Sequence, residues 1–267
     1  MSVRFVSEDR LLSVSVSGHS HLWNTAISHP VETLSISTRE LYCADTSPVC
    51  NKAVVAGQQG VVDVVDLATS RVCLTMQDAG SNADLAHIYS ARLHATDASL
   101  CVTGGWDRVV RLWDIRNGAV VGKIHGPFIC GDSIEMDDTV LVTASWVESS
   151  EHAVQVWDYR RLEKDPVSVS LQTDSSAYLY AAHMNSHVIA VGGSGAHEVR
   201  IINRADRSIA GSGQLVGKYS GARVVDEHSP VAEAEGSHAV QAVALSPAGS
   251  DVAVVGLCNS VCIFALN

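Results

Sequence analysis

Landmarks of one kind recur along this chain: Trp23, Val65, Trp113, Trp157, Ile202 and Phe264 each close a short apolar segment, at spacings of 42, 48, 44, 45 and 62 residues. Intervals of this length belong to repeat architectures, in which each repeat is one supersecondary unit whose apolar face is covered by its neighbours. The best-formed unit is Leu100 to Val121, LCVTGGWDRVVRLWDIRNGAVV. It reads as a short apolar strand, a tight turn around Gly104, Gly105 and Asp107, and a second strand in which Val110 and Leu112 alternate into Trp113-Asp114. A Gly-marked turn at Asn117-Gly118 and a third apolar run complete it. Val14 and Val16 show the same period of two, as a half-buried strand requires. The fold class is therefore predicted to be all-β.

Leu100 to Val121 resembles a WD-repeat, the four-stranded blade of a β-propeller, with Trp113-Asp114 as its hallmark dipeptide and Trp157-Asp158 repeating it one unit on. Asn24 stands in for the hallmark Asp after Trp23, Asn203 follows Ile202, and Val65, Ile202 and Phe264 replace the Trp. The resemblance implies a single six-bladed β-propeller domain over residues 1–267. Its strands would fall at Val3–Val6, Leu11–Val16, Leu22–Asn24 and Val31–Ile36, then from Leu41, at Lys52–Ala56, to Asp66 and at Val72–Met76. Ile88–Leu93 and Ala119–Ile124 flank the third blade, and the fourth takes Ile129–Ile134, Val140–Ser145, Ala153–Asp158 and Val167–Leu171. The fifth takes Leu179–His183, Val188–Val191, Val199–Ile202 and a strand near Ile209, and the sixth takes Val240–Leu245, Val252–Val255 and Val261–Leu266. Residues 246–249, Ser-Pro-Ala-Gly, form a turn. The long last interval contains residues 214–238, rich in Gly, Ser, Ala and Glu and read as a mobile loop.

In WD-repeat proteins a His before the first strand, a Ser or Thr on the second, an Asp in the turn and the Trp form a buried polar network. His87, Thr103, Asp107 and Trp113 match that set in the third blade, and His125, Thr143 and Trp157 match it in the fourth, where residues 148–151 stretch the turn.

Composition excludes several functions. The net charge is −11, against a broad phosphate-binding surface and hence against nucleic acid as partner. No apolar run approaches the roughly 18 residues of a membrane helix, and Glu8, Asp9 and Arg10 sit where a secretion signal would have its apolar core. The seven cysteines are odd in number, scattered and without a C-x-x-C pair, so they read as small buried hydrophobes and not as a disulfide or zinc framework. An intracellular protein, cytoplasmic or cytoskeletal and ciliary, is expected.

Nothing in the chain matches a phosphate loop, a dinucleotide fingerprint or a nucleophile elbow; the nearest approach, Gly192-Gly193-Ser194-Gly195, continues into Ala196. The expectation is no enzyme and no cofactor. His19 and His21 share one strand face, either as surface histidines or as two ligands of a metal for which the sequence offers no third, and no metal site is assigned.

Three features point to partners. Trp106 and Trp146 each lie three residues after a repeat Thr, which places both in turns between second and third strands. There they would either pair on one rim as binding residues or fold back as packing, with Gln58 in the same place of the second blade. Trp113-Asp114-Ile115-Arg116 and Trp157-Asp158-Tyr159-Arg160 resemble the W-D-x-R motifs of substrate receptors that dock on the adaptor of cullin-RING ubiquitin ligases. An Arg at that place also serves simply to pair with a neighbouring carboxylate. Lastly, only Ala265, Leu266 and Asn267 follow Phe264, which leaves the sixth blade a strand short and Asn259–Leu266 as an open edge. That pattern resembles the open propellers of vesicle coats and nuclear pores, which a partner chain completes; a truncated sequence and a closed ring with one three-stranded blade are the alternatives. The function these readings favour is a non-enzymatic scaffold that holds protein partners in a larger multi-protein assembly, with a cullin-RING substrate receptor as the alternative.

Overall fold

Short antiparallel meanders, joined by tight turns, build the whole of the described chain. The computed structural model describes every residue except 1, 28, 48, 81, 83–85, 172–176, 195–197, 215–238, 247–250, 257–260 and 266–267. The expected loop at 214–238, apart from Gln214, lies outside the described residues, as do Asn259, Leu266 and most of the turn at 246–249.

Contacts divide the chain into two compact units, one of Met1–Ile129, Met136–Val140 and Tyr159–Glu163, the other of Cys130–Glu135, Leu141–Asp158 and Lys164–Asn267. The first unit holds three four-stranded sheets. They are β1 (Ser2–Ser7), β2 (Arg10–Val14), β3 (His19–Asn24) and β4 (Pro30–Ser35); β5 (Leu41–Ser47), β6 (Lys52–Gly57), β7 (Val61–Asp66) and β8 (Arg71–Gln77); and β9 (Ile88–Leu93), β10 (Leu100–Gly105), β11 (Val109–Asp114) and β12 (Ala119–His125). Within each sheet the spatial order is the chain order, as in a propeller blade. A 3-10 turn at Gln58–Gly60 is the one helical element among the described residues.

The remaining strands are β13 (Ile134–Met136), β14 (Leu141–Ala144), β15 (Trp146–Val147), β16 (Val154–Trp157) and β17 (Val167–Val169), then β18 (Ala177–Met184), β19 (Val188–Ser194), β20 (Glu198–Asn203) and β21 (Ile209–Gln214), and finally β22 (Val240–Leu245), β23 (Asp251–Gly256) and β24 (Val261–Ala265). They form the sheets β13-β14-β16-β17, β15-β18-β19-β20-β21 and β22-β23-β24. Among the described residues β24 pairs with β23 alone.

Alternation along each strand turns one apolar row to each neighbouring sheet. In the first unit β1 packs on β5 and β5 on β9, and in the second β14 packs on β18 and β18 on β22. Leu12, Leu22 and Leu34 meet Leu41, Ala53 and Val65 between the first two sheets, and Val54, Val64 and Met76 meet Ile88, Cys101 and Trp113 between the second and third. Each fully buried Val, Leu or Met side chain is worth about 1.5–3 kcal/mol over its exposed state. Turn chemistry closes the meanders. Gly118, at φ +75°, takes the left-handed position after β11 that a side chain resists, and Asn117 Oδ1 accepts the Ala119 N–H at 3.0 Å.

Three expectations need correction. The first strand of the fourth sheet is Ile134–Met136, not Ile129–Ile134; Ile129 is buried before it, its N–H bonded to the Gly105 carbonyl at 3.2 Å. Trp146 is not a turn residue of its own sheet. Residues 146–147 instead pair with Tyr178 and Ala177 of β18, as the edge strand of the following sheet. The cysteines are not uniformly buried: Cys43 and Cys101 are, Cys50 and Cys130 are half-buried and Cys73 is exposed, and none of these five is in a disulfide.

Candidate protein-interaction site

A β-bulge recurs at one position of the fold. In the second sheet Leu41 pairs with Gly57 and Cys43 with Ala56, so Tyr42 is left over; in the third, Ile88 pairs with Gly105 and Ser90 with Gly104, leaving Tyr89. In the second unit Leu179 pairs with Gly193 and Ala181 with Gly192, leaving Tyr180, and Val240 and Ala242 leave Gln241. An extra residue breaks the alternation locally and re-aims its side chain. The glycine opposite makes this possible. A Cβ at Gly57 would stand 2.0 Å from the Glu40 carbonyl oxygen, at Gly105 1.8 Å from that of His87, and at Gly193 2.0 Å from that of Tyr178.

Each bulge therefore brings three side chains to one end of a blade: the residue before the first strand, the bulged residue, and the one after the glycine. In the second and third sheets these are Glu40, Tyr42 and Gln58, and His87, Tyr89 and Trp106. The backbone confirms the equivalence, since the Gln58 N–H donates to the Glu40 carbonyl at 3.0 Å and the Trp106 N–H to the His87 carbonyl at 3.1 Å. The rings merge into one stack. Tyr42 and Tyr89 are parallel, 4.8 Å apart at 3°, Trp106 lies on Tyr89 at 5.1 Å and 28°, and His87 flanks both ends, 6.0 Å from Tyr42 and 5.3 Å from Trp106. Such offset contacts add about 0.5–1.5 kcal/mol each beyond area burial. Tyr42 donates its hydroxyl to Glu40 Oε2 at 2.5 Å. Burial first, and then that carboxylate, push its phenol up to about 12. Trp106 is 46% exposed while its stacking partners are half-buried, so the stack ends in an open indole.

The second unit carries its own cluster. Trp146 packs on Tyr178 at 4.4 Å and donates through Nε1 to the Tyr180 hydroxyl at 3.2 Å, which in turn meets Ser194 Oγ at 3.1 Å.

The expected polar networks contract to their Trp–hydroxyl cores. Trp113 Nε1 donates to Thr103 Oγ1 at 2.8 Å and Trp157 Nε1 to Thr143 Oγ1 at 3.0 Å. The first sheet repeats the bond with Trp23 and Ser13 at 2.8 Å, a pair sequence reasoning missed although Ser13 occupies the register of Thr103. His87 is instead part of the aromatic stack, and His125 is exposed at the end of β12, opposite Val109. Asp107 turns to Arg111 at 2.7 Å.

Charged side chains clamp the segment that enters a sheet onto its third and fourth strands, with opposite polarity in neighbouring sheets. Arg39, entering the second, reaches Asp63 at 2.6 Å, which also accepts from its cross-strand partner Thr75 at 2.6 Å. Asp78, entering the third, takes Arg111 at 2.8 Å and that residue's cross-strand partner Lys123 at 2.6 Å. Burial raises the Asp78 carboxyl, but the hydrogen bonds from Lys123 and Arg111 outweigh it and leave the group at about 2.

Arg116 stands at the other end of β11 from Trp106, 73% exposed. Its Nη2 and Nε both bond Asp114, at 2.6 and 2.9 Å, and hold that carboxyl at about 2. Arg160 is also engaged; its neighbour Tyr159 meets His94 Nε2 at 2.7 Å. His19 and His21 stack at 6.4 Å, and His21 Nδ1 meets its cross-strand partner Thr33 at 3.0 Å. Among the described residues no three His, Cys, Asp or Glu side chains converge as metal ligands, and no helix is long and apolar enough to cross a membrane.

No protein-family model matches the chain. Among curated proteins it is similar to Pre-mRNA-processing factor 19 homolog 2 of Arabidopsis thaliana, 26% identical over 183 residues that cover 65% of this chain and 33% of that protein. It is also similar to WD repeat-containing protein 25 of Mus musculus, 24% identical over 169 residues, 60% of this chain and 30% of that one. Mitochondrial division protein 1 of Mycosarcoma maydis is 29% identical over 62 residues, 23% of this chain and 7% of its own length. The chain thus spans about a third of the first two relatives.

Proposed function

Because this chain belongs to the WD-repeat family, we propose that it is a non-enzymatic scaffold that holds protein partners within a larger assembly and recognises them through the aromatic end of its blades. The observation that carries this reading is the stack of Tyr42, Tyr89 and Trp106, built by two bulges and capped by an exposed indole. A bulge and an obligatory glycine add nothing to strand pairing, and an exposed Trp over a rigid aromatic base is the composition of an interaction hot spot. The edge of β24 supports a second contact, in which a partner strand continues the sheet β22-β23-β24.

A ligase-adaptor role would use Arg116 and Arg160 at the opposite blade ends. Asp114 already occupies the Nε–Nη2 edge of the Arg116 guanidinium in a bidentate pair, which favours a turn-stabilising role for it. Affinity capture with mass spectrometry, comparing wild type, Trp106→Ala and the double variant Arg116→Ala/Arg160→Ala, tests the assignment. Partners lost in Trp106→Ala and kept in the double variant agree with it; the reverse pattern refutes it and restores the adaptor reading.

A further inference from the structure

We infer that His94 is a pH-operated latch on the turn that follows β9. Neutral, the ring caps that turn through Nδ1; protonated, it releases the turn and pairs with Asp138.

The hydrogen bonds around the ring leave one tautomer. Nδ1 lies 2.9 Å from the Asp97 amide nitrogen and 3.3 Å from that of Thr96, and an amide N–H can only donate, so Nδ1 presents its lone pair. The proton of the neutral ring is therefore on Nε2, where the Tyr159 hydroxyl oxygen accepts it at 2.7 Å, the two rings T-shaped with centroids 5.8 Å apart. A second proton has one place to go, Nδ1, and there it ends both amide bonds. It also meets Asp138, whose Oδ1 is 3.6 Å from Nδ1; the ring is 5% exposed, but the aspartate is 58% exposed and able to close the gap. That same oxygen takes the Thr96 hydroxyl at 2.6 Å, so its move to the imidazolium withdraws a third bond from the turn. Two arrangements thus compete for one nitrogen, and pH selects between them.

The surrounding charges favour the cation once the proton arrives. On its own turn the ring has Asp97, which accepts from Ser99 at 2.6 and 2.8 Å and has Arg116 beyond it. Residues 136–140 bring Asp138 and Asp137, the latter accepting from the Thr139 and Val140 amides at 2.8 and 2.9 Å. Residues 159–163 bring Arg160 and Tyr159, whose phenol burial pushes up. On the sheet packed against β9, Asp45 is paired with Arg4 at 3.4 Å. Residues 95–97 are exposed, and the Ile115 N–H bonds the Ser99 carbonyl at 2.8 Å, which places the latch at the Arg116 end of the blade. It acts on a different surface from the aromatic stack and does not depend on that reading.

The test uses the full chain, labelled with nitrogen-15, between about pH 8 and 5. At the upper limit His94 Nδ1 should give the downfield signal of an unprotonated ring nitrogen, and Nε2 that of a protonated one. On acidification Nδ1 should become protonated, and over the same interval the Thr96 and Asp97 amide signals should shift. Their hydrogens should exchange about tenfold faster relative to the intrinsic rate at each pH, as the loss of a hydrogen bond requires. The Trp113 and Trp157 indole signals should stay in place, which shows that the fold persists. His94→Gln should remove the response. Asp138→Asn keeps the ring and its neutral contacts but denies the cation its carboxylate, so it should leave the spectrum at about pH 8 unchanged and lose about half or more of the response at about pH 6. A neutral ring with its proton on Nδ1, Thr96 and Asp97 amides that ignore the interval, or a full response in either variant overturns the latch.

Discussion

Gly105→Ala attacks the device on which the site depends. The new Cβ would lie 1.8 Å from the His87 carbonyl oxygen, where real Cβ contacts essentially never fall under 3.0 Å, so β9 and β10 must part by about 1.2 Å at the bulge. No flexible side chain absorbs this, because the obstructing atoms are backbone of His87 and Ile88. Overpacking of this kind costs about 1–3 kcal/mol, and the hydrogen bond from the Trp106 N–H to that same carbonyl, worth about 1 kcal/mol, is strained with it. Against this, Ala restricts the unfolded chain and returns about 0.4–1 kcal/mol. The net is a loss of about 1–3.5 kcal/mol, which lowers Tm by roughly 2–14 °C in a chain of this size. Gly80→Ala is the control, since its nearest neighbours are side-chain atoms at 3.6 and 3.9 Å and nothing need move. Urea and thermal unfolding of the two variants measure the difference. A Gly105→Ala protein within about 0.5 kcal/mol of Gly80→Ala would refute the steric account of the bulge.

Other outcomes follow from the same geometry. Asp78 is held at about 2 in the folded chain against an ordinary carboxylate value of 3.8, so its ion pairs add roughly 2 kcal/mol of stability. A depressed carboxyl gives stability that is present above the unfolded value and lost as pH falls from about 4 toward 2, and Asp78→Asn should flatten the urea midpoint over that window. Arg39→Met leaves the buried Asp63 carboxylate without its cation and should cost about 3–5 kcal/mol in urea unfolding, whereas Arg39→Met with Asp63→Leu should recover most of it. Thr103→Val strands the buried Trp113 indole N–H and should cost about 1–3 kcal/mol by the same measurement. A spectrophotometric titration at 295 nm should find a late phenol, Tyr42, ionising at about 12, and Glu40→Gln should bring it down.

Much of the architecture was legible because strand alternation and turn residues are local signals. The third sheet could be read residue by residue: Leu100 begins β10, Asn117-Gly118 marks the turn and Ala119 begins β12. The fourth sheet was harder. Its entry, Ile129-Cys130-Gly131-Asp132-Ser133-Ile134, has a buried isoleucine at each end, and an apolar residue does not say where pairing starts; only Ile134 joins β13. Trp146 was misplaced because a two-residue strand that crosses to another sheet leaves no periodicity in its own segment. The aromatic stack was half visible. Trp106 and Gln58 were found by their offset from the repeat landmarks, but Tyr42 and Tyr89 were not, since in an unbroken strand they would read as ordinary alternation. A signal did exist in the triplets Leu41-Tyr42-Cys43, Ile88-Tyr89-Ser90 and Leu179-Tyr180-Ala181, each answered by a glycine at 57, 105 or 193. The charge clamps stayed hidden because Arg39–Asp63 and Asp78–Arg111 fill equivalent places with opposite signs, and a repeat search rewards identity.

The central claim is that partners meet the blade ends where the bulges lie. Photo-crosslinking tests it most directly, with a benzophenone amino acid placed in turn at Gln59, exposed in the 3-10 turn next to Gln58, and at Val121, exposed on β12. Crosslinks to partner proteins from position 59 and none from position 121 are the expected result. Crosslinks from 121 with none from 59 would contradict the claim and move the interaction surface to the outer strands.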